Sequence, residues 1–168
     1  MERLIAESAR GLSRADYSDT QIEAAIATVF GVDTDLIEDG TYFVVESDDT
    51  LAACGGWSRR KTLFGGDQFT VRDASYLDPE TEPAKIRAFF VHPDHARKGI
   101  AKTMLERCEQ EAANHGFRAM ELMATLPGLK FYKACGYVDQ GDYDLQLIEG
   151  VKLELVPMRK DLRGKAGA

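Results

Sequence analysis

The 168-residue sequence has few cysteines, and their spacing excludes two common classes of small protein. Cys54, Cys108 and Cys135 are odd in number and form no Cys-x-x-Cys or Cys/His cluster. Disulfide scaffolds and structural zinc sites are recognised by such patterns. We therefore expect no metal site, and the cysteine usage fits the reducing cytoplasm.

The sequence also lacks long apolar stretches and an excess of positive charge. No run approaches the ~18 apolar residues that a membrane-spanning helix needs, and the opening Met-Glu-Arg leads into no signal-type segment. The 21 Lys and Arg residues are outnumbered by 28 Asp and Glu residues, for a net charge of −7. A general binder of phosphate backbones needs a basic surface. These absences argue against membrane insertion, secretion and a nucleic-acid partner.

The composition that is present is globular. Hydrophobic residues make up 44% of the chain and charged residues 29%, a balance typical of folded rather than disordered proteins. The length falls within the ~100 to 200 residues usual for one domain. The sequence therefore predicts one domain over residues 1–168.

The hydrophobic pattern predicts an α/β (α+β) fold. Two short helices are expected in the first 30 residues: the first is ended by Gly11, and the second begins with a capping box at Ser18 and Gln21 and is ended by a left-handed Gly31. Further along, the pattern predicts strands at 41–46 and 51–57, an irregular region with one short strand at 68–72, a strand at 86–91, a helix from about residue 99, a strand at 117–124, a short helix at 127–135 and a hairpin of 143–148 and 151–158. This order is typical of a mixed sheet flanked by helices.

Residues 86–103 join a predicted strand, a basic glycine loop and the start of a helix. Between Lys85 and Arg107 there are six basic residues and two acidic ones, a local charge of +4 in an acidic chain. A helix N-terminus has free N–H groups and the positive end of the helix dipole, so this junction suits an anionic ligand. The phosphate-loop spacings GxxxxGK and GxGxxG are both absent, which argues against a nucleotide-binding domain.

The loop resembles the acetyl-CoA loop of the GNAT superfamily of N-acetyltransferases. The family pattern is Gln or Arg, two residues, Gly, one residue, then Gly or Ala. Residues 96–101 (ARKGIA) match it at Gly99 and Ala101 and have Ala96 in place of Gln or Arg. The resemblance implies a single GNAT-like domain with a mixed, mostly antiparallel central sheet flanked by helices. Within it, 1–40 would be a helical acceptor-side segment, 86–138 the acetyl-CoA-binding core and 139–160 a C-terminal hairpin, through which many members pair as homodimers.

The resemblance further implies acetyl-CoA as cosubstrate. Backbone amides of the loop would hold the pyrophosphate, and main-chain groups at the end of the splayed central strand would hold the thioester oxygen. The implied cofactor-binding residues are Phe90, Val91, Arg97, Lys98, Gly99, Ile100, Ala101, Lys102, Thr103 and Thr125, of which the last stands where the family usually has Asn.

Residues 129–137 (LKFYKACGY) resemble the family's short helix, in which a Tyr is followed after three residues by Gly and an aromatic residue. Tyr132 matches the tyrosine that in many members protonates the departing CoA thiolate. An acid at this point makes chemical sense, because an amine that attacks a thioester releases a thiolate. The strand at 86–91 contains no carboxylate, so Glu121 on the next strand is the candidate general base; an ordinary salt-bridged carboxylate is the alternative.

An acidic segment precedes this core. Ten Asp and Glu residues and no Lys or Arg lie between Ala15 and Ser58. Solubility is the plain explanation, and attraction of a cationic acceptor by residues such as Asp35, Glu38 and Asp39 is the sharper one. Trp57 either lines the acceptor pocket or packs in the core.

Two functions remain open at this point. One is an acetyltransferase that moves the acetyl group from acetyl-CoA to a primary amine of a small molecule or peptide, by direct attack in a ternary complex. The other is a non-catalytic acyl-CoA-sensing or protein-interaction module on the same fold. Ala96 and Thr125 favour the module, whereas Gly99, Ala101 and Tyr132 favour the enzyme.

Overall fold

The computed structural model describes residues 1–164 and has a seven-stranded mixed sheet flanked by helices. The helices are α1 (Glu2–Ser13), α2 (Asp19–Thr28), α3 (Thr34–Glu38), α4 (Ile100–Asn114) and α5 (Leu126–Ala134), and the strands are β1 (Tyr42–Ser47), β2 (Thr50–Ser58), β3 (Ala84–Val91), β4 (Ala119–Thr125), β5 (Val138–Asp139), β6 (Tyr143–Ile148) and β7 (Val151–Asp161). The strand order is β1-β2-β3-β4-β7-β5, with β6 also paired to β7. All pairs are antiparallel except β3 and β4, which confirms the predicted fold class.

Local sequence explains several boundaries. Ser18 begins α2 through the predicted capping box: the Gln21 N–H donates to Ser18 Oγ over 3.2 Å, and the Ser18 N–H donates to Gln21 Oε1 over 2.8 Å. Asp48 and Asp49 both have positive φ angles, 49° and 60°, as a tight turn between β1 and β2 requires. A 3₁₀ turn, Pro93–His95, follows β3 and leads to α4.

The two faces of the sheet carry separate hydrophobic clusters. The α4 face includes Trp57, which is fully buried and packs against Phe117 and His115. Trp57 is thus a core residue. On the opposite face, α2 packs on the C-terminal hairpin and α1 packs on α2 and β3, with Tyr17, Ile22 and Leu153 among the buried residues of that cluster.

Some predicted details were wrong. Gly11 lies inside α1, where a Cβ would be 2.3 Å from Pro93 Cγ, so glycine serves close packing there. Gly31 does not have a positive φ angle, and a Cβ at Gly31 would be 2.2 Å from Gln68 Oε1. Residues 68–72 form no strand. The side-chain amide of Gln68 donates to the Phe30 carbonyl over 2.8 Å. The short elements α3 and β5 were not predicted.

The central strands diverge, and this shapes the middle of the molecule. β3 and β4 pair at Ala84–Met120 and Lys85–Glu121 and then separate. Downstream in β3 the residues Ala88 and Phe89 together face Gly55 of β2, which makes a β-bulge, and Ala88 has a φ of 52°. A gap therefore opens between the second half of β3 and the second half of β4.

Candidate active site

A cavity of about 820 Å³ occupies the gap between β3 and β4. Its lining combines side chains from both hydrophobic clusters: Ile86, Leu122 and Tyr132 come from the α4 face, and Val29 and Leu155 come from the opposite face. The cavity thus reaches both faces of the sheet through the splayed strands.

The N-terminus of α4 lies at one end of this cavity. Arg97 and Gly99 both adopt left-handed backbone conformations, with φ angles of 61° and 84°, and bring the chain into the helix. The first N–H that bonds within the helix belongs to Thr103, which donates to the Gly99 carbonyl over 3.1 Å, and no side chain caps the helix. The preceding N–H groups, from Ile100 to Lys102, lack helical partners and form a ready site for an anion.

The end of β3 presents main-chain groups to the same gap. The His92 N–H donates to the Ala52 carbonyl of β2 over 2.8 Å. Successive N–H groups of a strand point to opposite edges, so the Phe90 N–H also faces β2, whereas the Val91 N–H faces the side from which β4 has diverged. The Val91 N–H is the better placed of the two predicted groups to bind a ligand in the gap.

Tyr132 lies on α5, the helix that follows β4 in the chain. Its ring is 9% exposed, packs against Phe131 and Tyr137, and lines the cavity. Burial raises the pKa of Tyr132, so the phenol stays protonated at neutral pH. Gly128 lies between this ring and Thr125: a Cβ there would be 3.2 Å from the Tyr132 ring and 3.5 Å from Thr125 Oγ1.

The structure brings together most of the predicted cofactor and catalytic residues. The predicted residues that line the cavity are Phe90, Val91, Arg97, Gly99, Ile100, Ala101, Lys102, Thr125 and Tyr132. Among the residues from 1 to 164, the lining does not include Lys98 or Thr103. The Thr103 hydroxyl instead donates to the Gly99 carbonyl over 3.1 Å.

Glu121 lies elsewhere. It stands at the paired start of β4, opposite Lys85, and the described cavity lining does not include it. The Lys85 ammonium donates to Glu121 Oε2 over 2.7 Å, and Arg159 donates to Oε1 over 3.4 Å. The structure thus holds Glu121 as a salt-bridged carboxylate apart from Tyr132, and its placement gives the predicted general base no support.

None of the residues in the other half of the cavity was predicted as a site residue, although those of α1 and of the segment after α2 lie within 1–40, the predicted acceptor-side segment. Its walls come from α1, from the segment after α2, from the loop at 64–66, and from the face of β4 and β7 that is opposite α4. The lining residues there are Ser8, Ala9, Leu12, Ser13, Val29, Phe30, Gly31, Phe64, Gly65, Gly66, Met123 and Leu155. Phe64, Phe30 and Met123 pack against one cluster, a contact that sequence periodicity does not reveal in a loop.

Three carboxylates of the acidic segment, Asp33, Asp35 and Asp39, form ion pairs beside the sheet. Asp33 is fully buried between Arg87 and Arg72, and Arg72 donates to Asp35 over 2.7 Å. Arg60 donates two hydrogen bonds to the Asp39 carboxylate, over 2.9 and 2.7 Å. These bonds hold the pKa of that carboxyl below its usual range. Burial, the largest cause, lowers the pKa of Arg87.

A family model described as the acetyltransferase (GNAT) family matches residues 6–137. The chain belongs to the GNAT family of acetyltransferases. A search of curated protein sequences found no match.

Solved structures of GNAT proteins share this fold. A GCN5-related N-acetyltransferase from Rhodopseudomonas palustris aligns with a TM-score of 0.69 and 17% identity, over 95% of this chain and 86% of its own. The PaiA N-acetyltransferase from Thermoplasma acidophilum, in complex with coenzyme A, aligns at 0.59 and 16%, over 95% and 89%. YncA from Salmonella typhimurium, with acetyl-CoA, aligns at 0.58 and 13%, over 98% and 91%.

Two further properties of residues 1–164 concern membranes and metal ions. Across residues 1–164 no helix has the length and apolar character needed to cross a membrane. In the same range no three His, Cys, Asp or Glu side chains are grouped as ligands for a metal ion.

Proposed function

We propose that this GNAT acetyltransferase moves the acetyl group from acetyl-CoA to a primary amine by direct attack in a ternary complex. The observation that carries the proposal is the through-sheet cavity between β3 and β4. Its lining includes the N-terminus of α4, whose free N–H groups suit an anion, an apolar chamber, and Tyr132. Two substrates can therefore meet in the gap from opposite faces.

The α4 side is proposed to hold the cosubstrate. The free N–H groups at Ile100 to Lys102 and the positive end of the helix dipole would bind the pyrophosphate, with Arg97 and Lys102 adding charge. Because most of this cradle is backbone, Ala96 in place of the family's Gln or Arg removes one side-chain contact and leaves the rest. The coenzyme A and acetyl-CoA complexes of the PaiA and YncA structures support this assignment.

The chemistry is proposed to rest on positioning and a buried acid. The Val91 N–H would donate to the thioester oxygen and stabilise the negative charge that develops on it. The amine nitrogen bonds to the acetyl carbon, the carbon–sulfur bond breaks, and the thiolate takes the proton of Tyr132, while the nitrogen releases its own proton to solvent. Glu121 is left out of this scheme because of its place outside the cavity.

A covalent route through Cys135 has less support. Cys135 lines the cavity one turn from Tyr132, but burial raises the pKa of its thiol. A thiol in that state is a poor nucleophile at neutral pH. Direct transfer from acetyl-CoA to the amine is the simpler reaction.

The test is the release of CoA thiol from acetyl-CoA with and without a panel of primary amines. Amine-dependent release, with initial-rate lines that intersect when both substrates are varied, is expected for a ternary complex. Parallel lines would indicate a covalent intermediate. Binding of acetyl-CoA without any amine-dependent release would favour the non-catalytic acyl-CoA-sensing module. The single-domain organisation and the homodimer stay predictions.

A further inference from the structure

We propose that the acceptor is a small primary amine attached to an uncharged, apolar body, such as an arylalkyl or branched alkyl amine. This inference rests on the proposed acetyl transfer and names the substrate class of the same site. It differs from the cationic acceptor that the acidic segment offered as the sharper of two explanations.

The acceptor half of the cavity is built from apolar side chains. Phe64, Phe30, Val29, Met123 and Leu155 line it and belong to, or pack against, one hydrophobic cluster. The small residues Ala9, Ser8 and Ser13 of α1 complete the wall. A chamber of this kind binds by removing apolar surface from water.

The charged side chains of the lining are all basic. Within residues 1–164 the lining contains no Asp or Glu, and its basic and imidazole side chains are Arg87, His95, Arg97, Lys102 and Lys130. Arg97 and Lys102 belong to the loop and helix proposed to hold phosphates, and Lys130 is on α5. A polyamine or aminoglycoside has several ammonium groups, and this lining offers none of them a carboxylate.

Three carboxylates of the acidic segment already have basic partners. Asp33 and Asp35 pair with Arg87 and Arg72, and Asp39 pairs with Arg60. The network also neutralises Arg87 where its strand reaches the cavity. It leaves Asp33 buried and Asp35 largely so, and neither lines the cavity.

These two features select the same substrate property. A second positive charge on the acceptor would lose its hydration in the chamber without gaining an opposite charge, which is costly. A primary amine with an apolar body loses no such hydration, and its nitrogen must in any case be neutral to attack the thioester. Phe64 of the 64–66 loop is one of the aromatic residues in the chamber lining, and its contact with the acceptor can be tested by substitution.

The experiment compares 2-phenylethylamine, isoamylamine, spermidine, kanamycin and a polar tetrapeptide in the thiol-release assay. We expect kcat/KM for the two apolar amines to exceed that for spermidine and kanamycin by roughly a hundredfold or more, as unpaired buried charge is costly. Phe64→Ala should raise KM for 2-phenylethylamine roughly tenfold, because apolar contact is lost. Its KM for acetyl-CoA should stay unchanged.

Phe69→Ala is the matched control. Phe69 lies in the same loop, packs on Phe64 with ring centroids 5.1 Å apart and joins the same cluster, but it is not part of the described lining. We expect it to leave the KM for 2-phenylethylamine within about twofold of wild type.

The outcomes separate the inference from the function on which it rests. Preference for spermidine, kanamycin or the peptide overturns the inference and leaves acetyl transfer standing. Equal effects of Phe64→Ala and Phe69→Ala also overturn it, because the loss would then be one of loop structure. Binding of acetyl-CoA, measured by calorimetry, without turnover of any apolar amine overturns it as well, whereas no binding of acetyl-CoA overturns the proposed function itself.

Discussion

Tyr132 shows how one residue can be assigned by sequence and then given its physical state by structure. Its family resemblance predicts an acid, and the structure places its ring on the cavity and buries it, which keeps the phenol protonated. Glu121 shows the opposite case. A carboxylate on the neighbouring strand satisfied the sequence pattern, but only the strand register reveals that Lys85 and Arg159 hold it.

Replacement of Tyr132 by Phe tests the proposed acid. Tyr132→Phe keeps the ring that packs on Phe131 and Tyr137, so the fold and acetyl-CoA binding should persist. We expect kcat to fall roughly 10²- to 10⁴-fold, the usual contribution of a general acid. Steady-state kinetics and calorimetry measure the two effects separately.

Tyr137→Phe is the control for this variant. Tyr137 is buried in the same cluster but is not among the described residues that line the cavity. An equal loss of kcat in both variants would contradict the assignment, because it would indicate a packing effect.

At the scale of elements, the strand and helix on either side of the loop at 96–101 were predicted from sequence. The contacts that form the apolar chamber were not. Strand, loop and helix follow from local pattern, glycine and charge, all of which the sequence displays. The chamber depends instead on the 64–66 loop, which reaches the β6–β7 hairpin, and Phe64 lies 6.0 Å from Tyr143 in ring-centroid distance. Such a contact between distant segments leaves no periodic signal.

Two adjacent residues test the loop assignment. Arg97 and Lys98 are both exposed, but of the two only Arg97 belongs to the described lining of the cavity. We expect Arg97→Ala to weaken acetyl-CoA binding roughly tenfold, as loss of a charged hydrogen bond would. Lys98→Ala should change the affinity for acetyl-CoA by less than about twofold, since an exposed charge outside the lining is screened by salt. Calorimetric titration measures both, and a larger effect at Lys98 would contradict the geometry.

The ion-pair network joins three further elements. Asp33, which precedes α3, contacts Arg87 of β3 and Arg72 of the long loop after β2, and it is fully buried. Asp33→Asn should lower the free energy of unfolding by about 3 to 5 kcal/mol, because the buried Arg87 guanidinium loses its closest carboxylate, while Arg72 keeps its bond to Asp35. Urea denaturation measures the change.

The exposed pair of Asp144 and Lys152 provides the comparison. Their side chains are about half exposed, although the ammonium donates to the carboxylate over 2.7 Å. Asp144→Asn should cost less than about 1 kcal/mol. Similar losses at Asp33 and Asp144 would show that the buried network contributes little to stability.

At the scale of the whole molecule, the fold class could be predicted from the sequence, whereas the ion pairs of the acidic segment could not. The order of elements and the motif in 86–138 identified the sheet that the structure confirms. The acidic segment left solubility and the attraction of a cationic acceptor as explanations, because sequence shows the absence of Lys and Arg nearby but not the return of Arg60, Arg72 and Arg87 to pair with three of its carboxylates. Long-range ion pairs are a property of the folded chain alone.

Buried tyrosines predict how stability depends on pH. Burial raises the pKa of Tyr17 to about 12, above the unfolded value of about 10, and it raises the pKa of Tyr42 and Tyr137 in the same direction. The folded state therefore binds these protons more tightly, and stability is fully present below pH ~10 and is lost as pH rises toward 12 and beyond.

Tyr17→Phe tests this dependence. The Tyr17 hydroxyl donates to the Glu154 carbonyl over 2.6 Å and accepts from the Leu126 N–H over 2.8 Å, so the variant should be less stable by about 1 to 2 kcal/mol at neutral pH. Its stability should also fall less steeply between pH 10 and 12 than that of wild type. Tyr76→Phe, at a tyrosine that is 61% exposed, should keep the wild-type slope. Parallel denaturation curves for wild type and Tyr17→Phe over this range would contradict the argument.

The most direct test of the account is the thermal unfolding of the protein with acetyl-CoA, CoA and ATP. The account predicts that acetyl-CoA or CoA, at about 100 times its dissociation constant, adds about 2.7 kcal/mol and raises Tm by roughly 5 to 10 °C. ATP should give a much smaller shift, because the sequence has neither of the nucleotide-binding loop spacings, GxxxxGK and GxGxxG. No shift with acetyl-CoA or CoA, or an equal shift with ATP, would contradict the claim that the gap between β3 and β4 is an acetyl-CoA site.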